Sequence, residues 1–247
     1  MAWVRSPISV LRDIGITSPK DIELELIAFS LNAEVVYEPL HGYEANIFGT
    51  DEKAIITVNR DSTDSRKRFS LAHEIGHWTN DRGRNLSIEC TFGDMRQKEL
   101  SGINLNAHQS REARANRFAS QLLMPDFMIE PLFSSIPVNY DSVKEIADTF
   151  STSLTSSASR LIQITQRPSM ITMWNPDGGR RWFSRSSSLS EQIWPNRSID
   201  ISKLSSMPLA SVSTQENLWM DYPASSERHI QLTAFDNGVD IIILFSW

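Results

Sequence analysis

The chain has 247 residues, 40% of them hydrophobic, and carries 24 Lys and Arg against 30 Asp and Glu, a formal net charge of −6. This composition predicts one large domain or two modest ones with a real core and excludes a disordered chain. The acidic balance argues against coating nucleic acid by bulk charge, although a local basic patch stays open. A single cysteine excludes a disulfide scaffold, and no apolar segment suits a signal peptide or membrane span, so we expect a soluble, cytoplasmic protein.

The first half of the chain is predicted to combine helices with one small sheet. Its apolar spacing and its Gly, Pro and Asp breaks separate helices from short β-branched runs. The predicted helices are 21–31, 61–80, 110–124 and two shorter ones within 141–164, and the predicted strands are 33–37, 45–48 and 54–58. Between the two long helices, the polar stretch 81–109 is predicted to be weakly structured.

The composition changes near residue 167, beyond which five of the seven tryptophans lie. Two hairpins are predicted there, one around the turn at 175–179 and one around Asp236-Asn237-Gly238. We therefore expect two domains, a helical domain over 1–166 with a small N-terminal sheet and a small β-rich domain over 167–247.

Residues 73–77 read His-Glu-Ile-Gly-His, which is the sharpest chemical signal in the chain. Side chains four apart on a helix point the same way, so His73 and His77 can offer imidazoles to one metal ion. Glu74 is placed to hold the water that such an ion binds. The alternative is a coincidence of composition, but a helix apolar on two faces indicates a buried site.

A catalytic metal of this kind needs a third ligand, and Glu112 on the second long helix is the best candidate. The small Ala115 and Ala119 on the same face predict a close approach to the first helix around Gly76. From the residues alone, a helix N-terminal charge favoured by the macrodipole explains Glu112 equally well.

Two linked motifs decide between these readings. Ile-Ile-Thr-Val-Asn at 55–59 with Arg-Lys-Arg-Phe-Ser-Leu-Ala-His-Glu-Ile-Gly-His-Trp at 66–78, then Glu-x-x-Ala-Asn-x-Phe-Ala-x-x-Leu-Leu-Met-Pro at 112–125, resemble the ImmA/IrrE family of zinc metallopeptidases over about residues 7–166. The resemblance implies an α+β, zincin-like fold, Zn²⁺ bound by His73, His77 and Glu112, and Glu74 as catalytic acid and base. Arg114 departs from the family pattern, which often has an acidic residue there, so one supporting contact is in doubt.

Cys90 lies between the two predicted metal-binding helices. A free cysteine is commonly a small buried hydrophobe, whereas a thiolate would suit zinc and could fill the fourth position in place of water. The resemblance extends to the CapP-like subgroup of CBASS anti-phage operons, whose members carry a cysteine here and are described as using it as a switch.

The resemblance implies a zinc endopeptidase that cleaves a helix-turn-helix transcriptional repressor and derepresses a stress-response or anti-phage operon. In relatives a sensory domain, sometimes GAF-like, follows the peptidase and controls it; the last 80 or so residues here are short for a full GAF domain. The alternatives are a non-proteolytic regulator that binds DNA or protein through the same fold, and a zinc hydrolase acting on another amide. His108, Tyr140 and His229 are candidates for oxyanion stabilisation, and none is assigned.

The β-rich domain contains one patch with the composition of a nucleic-acid contact. Arg180, Arg181, Trp182 and Arg185 interleave cations with aromatics, which suits stacking and phosphate contact with single-stranded nucleic acid. The resemblance adds single-stranded DNA as an activator. The alternative, favoured by the residues alone, is a strand whose aromatics are core and whose arginines are solvated.

Overall fold

The structure is a computed structural model that describes residues 5–82, 86–96, 106–200, 204, 211–221 and 228–247. Within these residues the chain forms seven α-helices and two β-sheets, which confirms the predicted α+β class. The helices are α1 (Pro7–Asp13), α2 (Leu24–Ser30), α3 (Asp64–Asp81), α4 (Ala107–Leu123), α5 (Asp126–Phe133), α6 (Tyr140–Phe150) and α7 (Leu154–Ile164). The strands are β1 (Ala33–Glu38), β2 (Ala45–Gly49), β3 (Ala54–Asn59), β4 (Leu86–Cys90), β5 (Ser169–Trp174), β6 (Arg180–Arg185), β7 (Val212–Gln215), β8 (His229–Asp236) and β9 (Ile241–Ser246).

The chain divides into two compact units, Met1–Met128 and Ile129–Trp247. This division falls within α5, so α6 and α7 belong to the second unit together with the sheet that follows them. The predicted boundary at 166/167 lies shortly before the start of β5. As a boundary between independently folding domains, it stays a prediction.

The first unit contains a four-stranded sheet in the order β1-β3-β2-β4, in which β1 runs parallel to β3 and the other pairs are antiparallel. Burial alternates along β2, β3 and β4, so one face is buried and the other is largely exposed. The buried face packs against α3: a Cβ on Gly49 would lie 2.9 Å from the Trp78 ring. The indole of Trp78 donates a hydrogen bond to the Leu31 carbonyl at 2.7 Å. The sheet therefore fixes α3 from one side.

One strand contradicts the prediction of a weakly structured stretch over 81–109. Residues 86–90 form β4, an edge strand whose alternating side chains Leu86, Ile88 and Cys90 are buried. The strand is only five residues long and lies between polar segments, so its alternation is a weak signal in the sequence. Residues 83–85 and 97–105 of the same stretch lie outside the described residues.

The second unit is built on a five-stranded antiparallel sheet in the order β6-β5-β9-β8-β7. Both predicted hairpins are present, as β5-β6 and β8-β9. The central strands β5 and β9 are buried at nearly every position, which accounts for their almost continuous apolar sequences. Trp174, Trp219 and Phe245 belong to one hydrophobic cluster of this unit. No helix among the described residues has both the length and the apolar character needed to cross a membrane.

Candidate metal centre

The helix α3 carries His73, Glu74 and His77 through the most deeply buried part of the first unit. Every residue from Ser70 to Thr79 is buried, so this part of the helix is enclosed all round. All three side chains have no exposed surface. An enclosed helix with three ionisable groups requires partners for them, because unpaired buried charge is costly.

The helix α4 brings Glu112 to the histidines by packing closely on α3. A Cβ on Gly76 would lie 3.1 Å from the Phe118 Cβ and 3.2 Å from both the Cα and the carbonyl oxygen of Ala115. Only a residue without a side chain fits so near another helix backbone. The close approach predicted around Gly76 and Ala115 is confirmed. Glu112 lies on the same helix as Ala115 and is fully buried.

Four side chains converge at this contact. The Nε2 atoms of His73 and His77 lie 3.0 Å apart, and Glu112 Oε2 lies 3.2 Å from each. Cys90 Sγ lies 3.6 Å from His77 Nε2 and 3.9 Å from Glu112 Oε2. One ligand atom from each of the four buried residues falls within 4.8 Å of all the others. The cluster joins α3, α4 and the end of the edge strand β4.

These distances match those expected around a single small cation. Nitrogen, oxygen and sulfur ligands at about 2.0–2.3 Å from a tetrahedral centre stand roughly 3.3–3.7 Å apart. The five separations given above among Nε2, Oε2 and Sγ, from 3.0 to 3.9 Å, bracket that range. The donor set of two imidazoles, a carboxylate and a thiol is one that transition metals accept. The cluster is therefore compatible with a metal ion.

Buried oxygens without partners point the same way. Both carboxylate oxygens of Glu74 and the Oε1 atom of Glu112 are buried and have no hydrogen-bond partner among the described residues. A buried carboxylate left without a donor is unusual in a folded protein and calls for a ligand or solvent molecule. Glu112 Oε1 lies 3.6 Å from Arg111 Nε and 3.9 Å from His108 Nε2, beyond hydrogen-bond distance, so the Glu74 carboxylate is the clearer case of a group that an occupant of the site would satisfy.

The outer nitrogens of both imidazoles face further protein groups. His73 Nδ1 lies 2.8 Å from Asn116 Oδ1, which can only accept, so His73 donates through Nδ1 and leaves Nε2 free for a metal. The Asn116 amide in turn donates to the Asp94 carbonyl at 2.9 Å. His77 Nδ1 lies 3.5 Å from Asp81 Oδ2, and Asp81 Oδ1 lies 3.5 Å from Arg114 Nη2. Arg114, which stands where the family often has an acidic residue, therefore places a cation beside the Asp81 carboxylate that contacts His77.

Asn116 and Asp81 were not predicted as functional residues. Each lies four residues after a predicted ligand, Asn116 after Glu112 and Asp81 after His77. Residues at this helical spacing share a face, so the spacing was a signal that could have found them.

Without a metal, the electrostatics of the cluster raise the pKa of one imidazole, that of His77. Burial would lower the pKa of His77, but hydrogen bonds to Asp81 and Glu112 outweigh it and raise that pKa to about 9. Burial would raise the pKa of Glu112, yet hydrogen bonds from both histidines hold it well below the ordinary range. Burial raises the pKa of Glu74, and the histidines offset part of this effect. Burial and the carboxylates of Glu74 and Glu112 raise the pKa of Cys90, so its thiol stays protonated.

The three candidates for oxyanion stabilisation lie in different surroundings. His108 is half exposed, with Nε2 3.9 Å from both Glu112 Oε1 and Asp94 Oδ1. Tyr140 packs its ring against Phe235 in the second unit. His229 is exposed at the start of β8. His108 is the candidate that lies in the first unit, near Glu112 of the cluster.

The arginines predicted to contact nucleic acid are engaged within the second unit. Arg180 donates to the carbonyls of Pro195 and Asn196, and Arg185 donates to the Glu191 carbonyl at 2.6 Å. Both guanidinium groups also lie over the Phe183 ring, at 4.9 and 5.2 Å from its centroid.

Arg181 has a different partner. Its Nε lies 2.6 Å from Oδ1 of the buried Asp240. Trp182 is half-buried on β6, opposite Met173 of β5. These contacts favour the structural reading of the patch, and its role in nucleic-acid binding stays a prediction.

The fold and the cluster together define a protein with a buried candidate metal centre between two packed helices. A model of the IrrE N-terminal-like domain, peptidase family M78, matches residues 29–161. The match spans more than half of the chain, so the chain belongs to this family, and membership implies a metallopeptidase. The predicted resemblance to the ImmA/IrrE family is confirmed, whereas the CapP-like subgroup stays a prediction.

One solved structure extends the comparison to both units. A Mycobacterium tuberculosis transcriptional regulator is similar with a TM-score of 0.62 and 13% identity, and the alignment covers 97% of this chain and 86% of that one. At that identity the similarity shows a shared fold alone. The comparison with curated proteins finds no match.

Proposed function

We propose that the protein is a zinc-dependent endopeptidase in which His73, His77 and Glu112 hold Zn²⁺. The single observation that carries this proposal is the convergence of two Nε2 atoms and one carboxylate oxygen within 3.2 Å of one another, in a buried site of a peptidase-family fold. When bound, the ion would supply the Lewis acidity that activates water and polarises the scissile carbonyl.

Glu74 is proposed to move the protons. Glu74 lies between the two histidine ligands on α3. Its carboxylate is fully buried, and neither oxygen has a hydrogen-bond partner among the described residues. Burial raises its pKa above the ordinary value for a glutamate, which makes the carboxylate a better proton acceptor. In the proposed reaction a Glu74 oxygen takes the proton of the attacking water and passes it to the leaving amine.

Cys90 is proposed to be an inhibitory fourth ligand. Its Sγ stands 3.6 Å from His77 Nε2, close enough to share a metal ion with it, and in that position it would occupy the place that water needs. Cys90→Ala is expected to raise basal proteolysis while leaving one metal ion bound per chain. Unchanged or lower activity with the metal retained would contradict the lock.

The substrate is proposed to be a helix-turn-helix transcriptional repressor, cleaved to release a stress-response or anti-phage operon. Family membership supports a protein substrate, and the name of the structurally similar Mycobacterium tuberculosis protein agrees with a role in transcriptional control. The β-rich part of the chain, which we propose to be a GAF-like sensor, would gate the activity. Single-stranded DNA is the proposed activator, through Arg180, Arg181, Trp182 and Arg185.

The decisive experiment incubates the purified protein with its proposed substrate, any small helix-turn-helix repressor that is found to be encoded in the same operon, with and without single-stranded DNA. A matched Glu74→Gln variant keeps the size of the side chain and removes its ability to accept a proton. We expect cleavage by the wild type and none by the variant, with equal metal content. Stable binding of the partner without cleavage by either protein would favour the second candidate, a non-proteolytic regulator, which the regulator-like neighbour also supports.

A charge-reversal experiment tests the nucleic-acid contact. Arg180→Glu with Arg181→Glu is expected to abolish stimulation by single-stranded DNA while metal content stays unchanged. Persistence of the stimulation would rule these residues out. Because Arg181 also faces the buried Asp240, thermal unfolding of the variant must be compared with that of the wild type.

A further inference from the structure

The first unit contains a second concave site, on the side of α3 away from the metal cluster. Its volume is about 500 Å³, and α2, β1 and α3 contribute to its lining. Arg68, which lines it, and His77 are nine residues apart on α3, or two and a half helical turns, so their side chains leave opposite sides of the helix. The cleft is therefore separate from the candidate metal centre.

The lining of the cleft combines apolar side chains with charged side chains of both signs. Leu24 and Leu71, each 1% exposed, and the ring of Tyr37 form the apolar part. Arg60 and Arg68 are the arginines of the lining. A cavity of this size with an apolar floor and a few polar groups has the character of a small-molecule site.

Three further charged residues line the cleft, and they partner groups already present. The Tyr37 hydroxyl donates to Glu25 Oε1 at 2.5 Å, and Lys67 Nζ lies 2.9 Å from Asp64 Oδ1. Both carboxylates are thus matched by a donor within the protein. Arg60 Nε in turn lies 3.9 Å from Asp61 Oδ1, so Arg68 is the cation of the lining that has no ion pair with a carboxylate among the described residues.

Arg68 has a donor that the protein leaves unused. Its Nη2 donates to the Ile22 carbonyl at 3.3 Å, whereas its Nε is buried and has no hydrogen-bond partner among the described residues. A guanidinium group presents several N–H donors in a fixed plane and suits carboxylate and phosphate oxygens. Arg68 is therefore the group of the lining that an oxyanion in the cleft would pair with.

We propose that this cleft binds a small organic oxyanion with an apolar or aromatic body, and that Arg68 is its main anion contact. The body of the ligand would lie on Leu24, Leu71 and Tyr37, and Arg60 at the exposed rim would add a second positive charge. The site is independent of the proposed peptidase activity. Since α3 also carries His73 and Glu74, a ligand here would contact the same rigid helix as the metal centre.

The test is isothermal titration calorimetry of the full chain with phenyl phosphate and benzoate, and with phenol as the neutral analogue. At least one of the two anions is expected to bind at least tenfold more tightly than phenol, and the tighter of the two identifies phosphate or carboxylate as the ligand chemistry. Arg68→Gln should weaken binding at least tenfold, because hydrogen bonds to charged groups are the strong ones. Arg12→Gln, which changes an exposed arginine on α1, is the matched control and should bind like the wild type.

Three results would overturn the proposal: no binding of either anion at millimolar concentrations, equal binding of phenol, or undiminished binding by Arg68→Gln. Circular dichroism checks that this variant is folded. If it is not, Arg60→Gln at the exposed rim replaces it, with a smaller loss of anion affinity expected and an unchanged affinity again contradicting the site.

Discussion

Replacing Gly76 with alanine tests the helix contact on which the candidate metal centre depends. In an exposed helix this change would stabilise the protein by about 1 kcal/mol, because glycine is the poorer helix former. At Gly76 the new Cβ would lie 3.1 Å from Phe118 Cβ and 3.2 Å from two backbone atoms of Ala115. Backbone atoms cannot rotate away, so α3 and α4 must separate by a few tenths of an ångström.

The two effects oppose each other, and the steric one is larger. Overpacking a closely packed core costs about 1–3 kcal/mol, and the gain in helix propensity offsets about 1 kcal/mol of that, so we expect Gly76→Ala to lower the free energy of unfolding by roughly 0–2 kcal/mol. The same separation moves Glu112 away from His73 and His77, so the affinity for Zn²⁺ should also fall.

The assay is urea denaturation in the presence of EDTA, followed by Zn²⁺ competition against a chromophoric chelator. Gly93→Ala is the matched control, because the nearest atom to its added Cβ is Thr91 Oγ1 at an ordinary 3.5 Å. We expect the control to remain close to the wild type in both measurements. A Gly76→Ala protein that is as stable as the wild type and binds Zn²⁺ as tightly would refute the reasoning.

Three further predictions follow from the surroundings of the cluster and from the second sheet. Asn116→Ala, which removes the acceptor at His73 Nδ1, should weaken Zn²⁺ binding about 10–100-fold in chelator competition; a change of less than twofold would contradict this positioning role. In the metal-free protein the folded-state pKa of His77, about 9, lies above its ordinary 6.5, so its stabilising contribution is complete below pH 6.5 and is lost as pH rises through 9. Urea midpoints in EDTA should therefore fall over that window, and the fall should be smaller in His77→Ala. Arg181→Ala removes the ion pair between Arg181 and the buried Asp240 and should cost about 1–3 kcal/mol of stability; with Asp240→Asn already in place the same change should cost much less, and equal costs would exclude the pair.

The elements that position the site were predictable because they are long or strongly patterned. The helix over 61–80 and the strands from residue 33 to residue 58 follow from periodicity alone, and α3 with β1, β2 and β3 confirms them. The small residues Gly76 and Ala115 predicted a close helix contact, and the distances at Gly76 confirm it. Local patterns of this kind need no knowledge of distant neighbours.

Other elements depend on contacts that the sequence does not display. The helix α5 was not predicted, since Pro125 precedes it and Pro131 lies inside it, and proline normally marks the end of a helix. The strand β4 exists because β2 offers it an edge, and this pairing places Cys90 at the histidines. From the sequence, Cys90 could be placed between the two helices but not beside His77.

The arginine patch also shows that a function predicted from composition depends on contacts that the sequence does not display. Arg180 and Arg185 have the composition of a nucleic-acid contact, yet their donors bond carbonyls between Glu191 and Asn196. Composition reports which groups are present, whereas the fold decides whether those groups are already satisfied. Arg68 is the opposite case, because nothing in the sequence around it indicates that its Nε–H has no hydrogen-bond partner among the described residues.

The central claim is that two imidazoles and one carboxylate bind a single metal ion between α3 and α4. Zinc K-edge X-ray absorption of the full chain loaded with one equivalent of Zn²⁺ tests it most directly. We expect two imidazole nitrogens at about 2.0–2.1 Å, together with one carboxylate oxygen, and the loss of one imidazole in His77→Ala. A spectrum without imidazole scattering, or one that His77→Ala leaves unchanged, would contradict it.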